Sequence, residues 1–425
     1  MKNTDKRMNI GRGLRLVCLV LALAVLATAA LTSCGRISAD SLSGGFLKQD
    51  FEFVAPDADF YEAVTDVGLR VMARLAEKGE NLTFSPLSMV LCLALIANGA
   101  EGSTLSEIEA LIGMPIEDFN KMAYSFVNGL YSGKNCEVNI ANSVWYYDGG
   151  YLKVRDEFLQ TNADWYGADI FAAPFDESTV KDVNSWCDEK TDGMIDKVID
   201  TIDDNTVMFL INALSFDAKW AELYEKSQKK DGVFNNYGGG TSNVQMLWSD
   251  EKYYIGGEGF RGFTKDYEGG KYSFVALLPD ADRDVYEFAA GISGAEWLSI
   301  LASKQRQSVA VCMPEFTNSS SLDLIDSMKA LGVDDMFSDA GADFSSMATS
   351  DRGNLFVGIF KQESFIQVDM NGTKAAAITL GGMNDKATSV ERYSVYLDRP
   401  FVYAIVDNAT GVPMFVGVNA DMGIK

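Results

Sequence analysis

A chain of 425 residues with 47% hydrophobic content can hold one large domain or two or three smaller ones, with a sizeable core. Its 60 acidic against 36 basic residues give a formal charge of −24, which repels nucleic acid, and no basic run overrides it. The count of histidines is 0, which excludes Ser-His-Asp and Cys-His nucleophilic machinery, HExxH zinc sites and histidine general bases.

The first 33 residues stand apart from the rest. Lys2, Lys6, Arg7, Arg12 and Arg15 precede an apolar run from Leu16 to Leu31, followed by the small residues Thr32 and Ser33. This is the pattern of a signal peptide, and the run is slightly short for a stable membrane span. Its removal takes away five basic residues and one acidic residue, so the mature formal charge becomes −28. The stretch LTSCG resembles a bacterial lipobox, in which the cysteine is acylated and becomes the mature N-terminus. That resemblance makes Cys34 a lipid anchor and places the protein, membrane-anchored, at the cell surface or otherwise outside the cytoplasm. The competing reading is ordinary signal cleavage beside a cysteine of no significance. Residues 34–49 follow as a tether, flexible because ISADSLSGGFLKQD is rich in Ser and Gly. From residue 50 to 425 no composition break or internal repeat divides the chain, so a single domain is expected.

Helices dominate the first half. Phe60, Val64, Val67, Val71 and Leu75 keep helical spacing between Asp59 and Gly79. In NLTFSPLSMVLCLALIANGA, Ser85 can cap, Pro86 suits the first helical position and Gly99 can end a helix that is apolar all round, the mark of a central buried helix. Thr104 and Glu107 have capping-box spacing for a helix stopping at Gly113. Further helices are expected over 151–166, 178–191 and 321–331. Strands then take over, at Val138–Tyr147, Val207–Phe216, Tyr272–Leu278, Ser308–Met313, Phe365–Val368, Phe401–Val406 and Met414–Val418. The sum is an α+β domain.

No spacing picks out a carboxylate pair, no nucleotide-binding motif occurs, and GGG at 238–240 reads as a loop. Cys92, Cys136, Cys187 and Cys312 lack the close spacings of metal or redox sites and are expected as buried free thiols. No metal or other cofactor is called for, and nothing marks an enzyme.

FSPLS at 84–88, NSVWYYDGGYLKVRDEFL at 142–159, VNSWCDEKTDGMI at 183–195, NALSFDAKW at 212–220, KALGVDDMFSDAGADFSSM at 329–347 and RPFVYAI at 399–405 together resemble the serpin family. The resemblance covers residues 50–425. It implies a fold of three β-sheets with eight or nine α-helices, and an exposed reactive-centre loop. It also implies a suicide-type inhibitor of extracellular serine proteases. In that mechanism the loop is cleaved, forms an acyl-enzyme and inserts as a strand into the main sheet, trapping the protease. The alternative is a serpin-like binding or structural protein that does not inhibit. A solute-binding lipoprotein would share the anchor but has little support in the residues.

The loop hinge implied by the resemblance is Gly372 and Thr373 with Ala375, Ala376 and Ala377, in NGTKAAAITLGGMND. Three alanines favour a helix, yet every second residue, Thr373, Ala375, Ala377, Thr379, Gly381 and Met383, is small or uncharged, as an inserting strand requires. Met370 and Asn371 depart from the acidic residues usual there, which implies a different positioning contact. In typical members the cleaved bond follows the fourteenth residue after the hinge glycine, which makes Lys386 to Ala387 the reactive bond. Lysine suits the acidic pocket of a trypsin-like protease. Met383 or Val390 as bait would suit elastase-like or chymotrypsin-like enzymes, and a subtilisin-like target is a further option. The resemblance places Ser85, Ser88, Asn212 and Gln362 in the sheet-opening region, Gln362 where many members have histidine. A monomer is expected.

Overall fold

The computed structural model describes residues 37–46, 48–130, 132–373 and 393–423. Among them, seven strands form the main sheet: β1 (Asp40–Ser41), β2 (Cys136–Tyr147), β3 (Asp169–Ala173), β4 (Met208–Lys219), β5 (Phe316–Asp323), β6 (Lys361–Val368) and β7 (Gly372–Thr373), in the order β1-β3-β2-β4-β7-β6-β5. A second sheet of six strands includes Phe401–Asp407 and Pro413–Asn419, every residue of which is buried. A third sheet of four strands ends at the edge strand Tyr393–Tyr396, and a small pair joins Leu152–Val154 to Ala348–Ser350.

Nine helices surround the sheets among the described residues: α1 (Ala58–Leu75), α2 (Pro86–Ala97), α3 (Gly102–Ile112), α4 (Ile116–Asn128), α5 (Asp156–Tyr166), α6 (Glu177–Lys190), α7 (Val285–Ala290), α8 (Gly294–Ala302) and α9 (Ile325–Ala330). The sheets and helices make an α+β architecture of the kind the resemblance implies. α2 is the central helix: Ser85 Oγ accepts from the Ser88 N–H, Pro86 opens the helix, and every residue but Cys92 is buried. The core is continuous from Phe60 to Ala420. A second apolar cluster, with Trp145, Phe171, Val183, Trp186 and Phe209, seats α6 on β2, β3 and β4.

Several local expectations are corrected. The Thr104–Glu107 capping box is not formed, because α3 starts at Gly102. Thr104 Oγ1 instead accepts from Asp343 N–H, and Glu107 accepts from the N–H groups of Asp334 and Asp335. Residues 152–154 and 321–323 are strand rather than helix, pulled into sheets by distant partners. The segment expected as a flexible tether is docked from Ile37 onward. Asp40 and Ser41 pair with Ala172 and Phe171, and the buried carboxylates of Asp182 and Asp164 take its polar groups. Cys92, Cys136, Cys187 and Cys312 are free, Cys92 half-buried and the other three buried.

Candidate functional site

β6 and β7 are joined by a turn in which every residue is held. Asp369 Oδ1 accepts from the N–H of Asn371 at 2.6 Å and of Gly372 at 3.2 Å, an Asx-type turn. Beside it, Trp220 N–H donates to Asn371 O at 2.9 Å, its Nε1–H to Asp369 O at 2.8 Å, and Tyr224 N–H to Met370 O at 3.3 Å. Glu315 Oε1 accepts from Met370 N–H at 3.1 Å while Oε2 pairs with Lys229 Nζ at 2.6 Å. Carboxylates from Asp369 and Glu315 thus do the positioning that residues 370 and 371 do not. Behind the Trp220 and Tyr224 rings lies the buried Lys265 ammonium, 2.7 Å from Glu251.

Gly372 and Thr373 then enter the sheet as β7, opposite Lys219 and Ala218 of β4. The glycine is needed for space: a Cβ there would lie 2.0 Å from Ala218 O and 2.7 Å from Lys219 Cα. Thr373 is 2% exposed, and its Oγ1 lies 2.6 Å from the hydroxyl of buried Tyr267. Burial pushes the Tyr267 phenol well above its ordinary range, so it stays a neutral hydrogen-bonding group.

Below Thr373 the sheet is parted. Among the described residues no ladder joins β4 to β6; only β7 bridges them, at the top. The gap is a cavity of about 480 Å³ running along residues 205–213 on one side and 354–363 on the other, with Ser88, Met89 and Cys92 of α2 at its floor. Gln362 clamps the start of α2. Its Oε1 accepts from Ser85 N–H at 2.8 Å and its Nε2 donates to Ser85 O at 3.0 Å. Ser85 Oγ donates to Met414 O at 2.7 Å while it caps the helix by accepting from Ser88 N–H. Asn212 lines the same cavity as Ser88 and Gln362 but bonds elsewhere, donating to Asn142 Oδ1 at 2.7 Å; its own Oδ1 is buried with no partner among the described residues. Burial without a nearby cation pushes the Cys92 and Cys187 thiols, which line the cavity, up to about 12, so neither is a nucleophile at neutral pH.

The family model described as serpin (serine protease inhibitor) matches residues 62–421. The chain belongs to the serpin family. It is 29% identical to leukocyte elastase inhibitor A of Mus musculus over 79% of this chain and 92% of that one. It is 26% identical to neuroserpin of Homo sapiens over 84% of this chain and 90% of that one. Against the solved structure of tengpin, a thermophilic serpin, in its native state the TM-score is 0.86 at 36% identity, covering 90% of this chain and 99% of that one. Against tengpin in its latent state the score is 0.78 at 35% identity, covering 88% and 100%.

In this serpin, Gly372 and Thr373 sit at the mouth of the parted sheet, and Ser85, Ser88 and Gln362 meet beneath it. Ala375, Ala376, Ala377, Lys386, Ala387 and Cys34 lie outside the described residues. Sequence reading missed Tyr267, Glu315 and Asp369. The last was detectable, since Asp369-Met370-Asn371-Gly372 carries turn chemistry. Tyr267 and Glu315 come from remote segments with no local signal.

Proposed function

We propose that this serpin is a suicide-type inhibitor of extracellular serine proteases, held at the membrane through Cys34. The observation that carries the reading is the half-begun strand. β7 occupies the top of a gap in which, among the described residues, no other strand lies between β4 and β6. β7 and β4 are antiparallel, so thirteen residues beyond Thr373 brings Lys386 opposite Asn205, at the foot of the cavity. That path is about 43 Å of strand.

The chemistry is supplied by the protease. Its serine oxygen attacks the Lys386 carbonyl carbon, the bond to Ala387 nitrogen breaks, and the proton leaves with the new amine, giving an ester on Lys386. A serpin without histidine is no obstacle to this. Cleavage frees the chain after Thr373 to fill the gap, with Ala375, Ala377, Thr379, Gly381 and Met383 on the core side with Thr373. The tethered protease is dragged to the far end and its active site distorted. Deacylation needs the same oxyanion hole as acylation, so the ester persists.

Reaction with trypsin-like, elastase-like and subtilisin-like proteases tests this. A complex that survives denaturant, and a released peptide beginning at Ala387 by mass spectrometry, are expected. Cleavage should also stabilise the chain by on the order of 10 kcal/mol, from about a dozen new ladder hydrogen bonds at ~1 kcal/mol each. Cleaved product alone from every protease, with no thermal stabilisation, returns the non-inhibitory reading. Intact mass of the mature chain tests the lipid on Cys34.

A further inference from the structure

Ile37, where the described chain begins, is already part of the folded body. Upstream of α1, Phe51 stacks on Trp165 with 3.8 Å between ring centroids, and Gln49 N–H donates to Asp164 at 3.0 Å. Asp40 and Ser41 then extend the sheet as β1, and Leu42 N–H donates to Ile170 O at 2.8 Å. Ser38 Oγ and Ala39 N–H both donate to Asp182 Oδ2, at 2.7 and 2.8 Å. Asp182 belongs to α6 and is 6% exposed, so this strap ties α6 to the edge of the sheet.

The pairing registers show where the strap leaves the body. Asp40 lies opposite Ala172, Ala172 opposite Tyr146, and Tyr146 opposite Met208. Continuing the β7 register puts Met383 beside Met208 in that same row, with Lys386 three residues further on. The chain therefore departs toward Cys34 from the end of the sheet at which an inserted Lys386 would arrive. The two are four strand spacings apart, about 19 Å.

We propose that the strap is a release device, which must peel from β3 and α6 before the membrane-anchored serpin can trap a protease. The proposal rests on the inhibitory, lipid-anchored reading above. Only Gly35 and Arg36 separate Cys34 from Ile37, a reach of about 10 Å. A protease domain of about 220 residues has a radius of gyration of about 17 Å, more than that clearance. With the strap docked, the bilayer lies where the carried protease must go. Peeled back to Asp57, which caps α1, the link from Cys34 lengthens to about 75 Å and the conflict disappears. Peeling breaks the two bonds to Asp182, the two-residue β1 pairing, the Leu42–Ile170 and Gln49–Asp164 bonds and the Phe51–Trp165 stack, and the pull of insertion must outweigh their sum.

The test compares the lipidated full-length protein in phosphatidylglycerol–phosphatidylcholine vesicles with the Cys34→Ala chain in solution. Each reacts with a protease that the soluble chain traps, and the ratio of covalent complex to cleaved chain is read. The expected ratio is several-fold lower on vesicles. Asp182→Ala, which loosens the strap, and an insertion of about 20 Gly/Ser residues after Gly35, which adds reach without touching it, should each restore the solution ratio. Neither should change the ratio in solution. Equal ratios on vesicles and in solution for the unaltered chain overturn the proposal alone. A mature chain without lipid, or a Cys34→Ala chain that never traps, overturns the underlying reading and the proposal with it.

Discussion

The two ends of the gap in the main sheet are built in opposite ways. At the top, Asp369 to Thr373 are held by Trp220, Tyr224, Glu315 and Tyr267, and Gly372 touches β4 backbone where no side chain would fit. At the bottom, residues 205–213 and 354–363 face each other across an empty cavity. Under the proposed insertion, entry would not be the barrier, since Gly372 and Thr373 are already paired with Lys219 and Ala218 of β4. The intact loop is anchored at both ends, by β7 at Thr373 and by the strand beginning at Tyr393. In the proposed mechanism, cutting the loop frees the chain after Thr373 to enter the gap.

Thr373→Arg attacks the top of the gap most directly. A guanidinium in a site 2% exposed, beside a neutral phenol, costs several kcal/mol to bury. The hinge should leave the sheet and the ratio of covalent complex to cleaved chain should fall at least tenfold on a denaturing gel. An unchanged ratio refutes the insertion register. Gly372→Ala is a smaller insult to the same contact. Its methyl would strike Ala218 O, and relief by shifting β7 should cost about 1–3 kcal/mol. A fall of a few degrees in Tm and a few-fold loss of trapping are expected. If Tm is unmoved, β7 is not packed on β4 as described.

Between top and bottom sits Gln362, whose amide serves as donor and acceptor to the same residue, Ser85. Gln362→His would place a titratable group there. Burial disfavours imidazolium, so its folded pKa would lie below the ordinary value, and the unfolded chain would bind the extra proton first. The variant should match wild type above pH 7 and lose stability as pH falls through about 6.5, by up to about 1.4 kcal/mol per unit. Wild type, with no histidine, should lack that inflection; denaturant titrations at pH 5.5 and 7.5 would reveal it in either protein.

Where a segment's partners are its own neighbours, the sequence was readable. Ser85, Pro86 and an all-round apolar run defined α2, and Tyr272–Pro279 is an unbroken buried strand. Legibility failed where remote contacts decide. Thr104 and Glu107 have capping spacing but are spent on loops more than 200 residues away. The Ser/Gly-rich segment after Cys34 reads as mobile by composition, and is held by Asp182 and Asp164, which no local pattern announces. In the candidate site the hinge residues were implied by the resemblance and supported by their alternation, while the three alanines alone favoured a helix. The platform beneath them, Trp220, Tyr267 and Glu315, is assembled from three separate strands or their ends and left no periodic trace.

The smallest effect distinguishes the two ends by their thiols. Cys92 and Cys187 line the lower cavity, while Cys136 pairs with Ala218 at the level of the hinge. Burial raises all of them, Cys92 and Cys187 to about 12 and Cys136 to about 11, against about 8.5 in an unfolded chain. Above pH 8.5 the unfolded chain loses thiol protons that the folded one keeps, so stability is complete below that pH and declines as pH rises toward 11. The slope is at most about 1.4 kcal/mol per unit for each fully shielded thiol. Cys187→Ala should flatten it by one thiol's share. Iodoacetamide at pH 8 should label half-buried Cys92 slowly, and Cys136 and Cys187 more slowly still. After loop cleavage an inserted strand would fill the cavity and close Cys92 off, while Cys136, beside a hinge already in place, should not change. Labelling of Cys92 that is unaffected by cleavage would mean that the lower cavity stays empty and that the strand stops near the hinge.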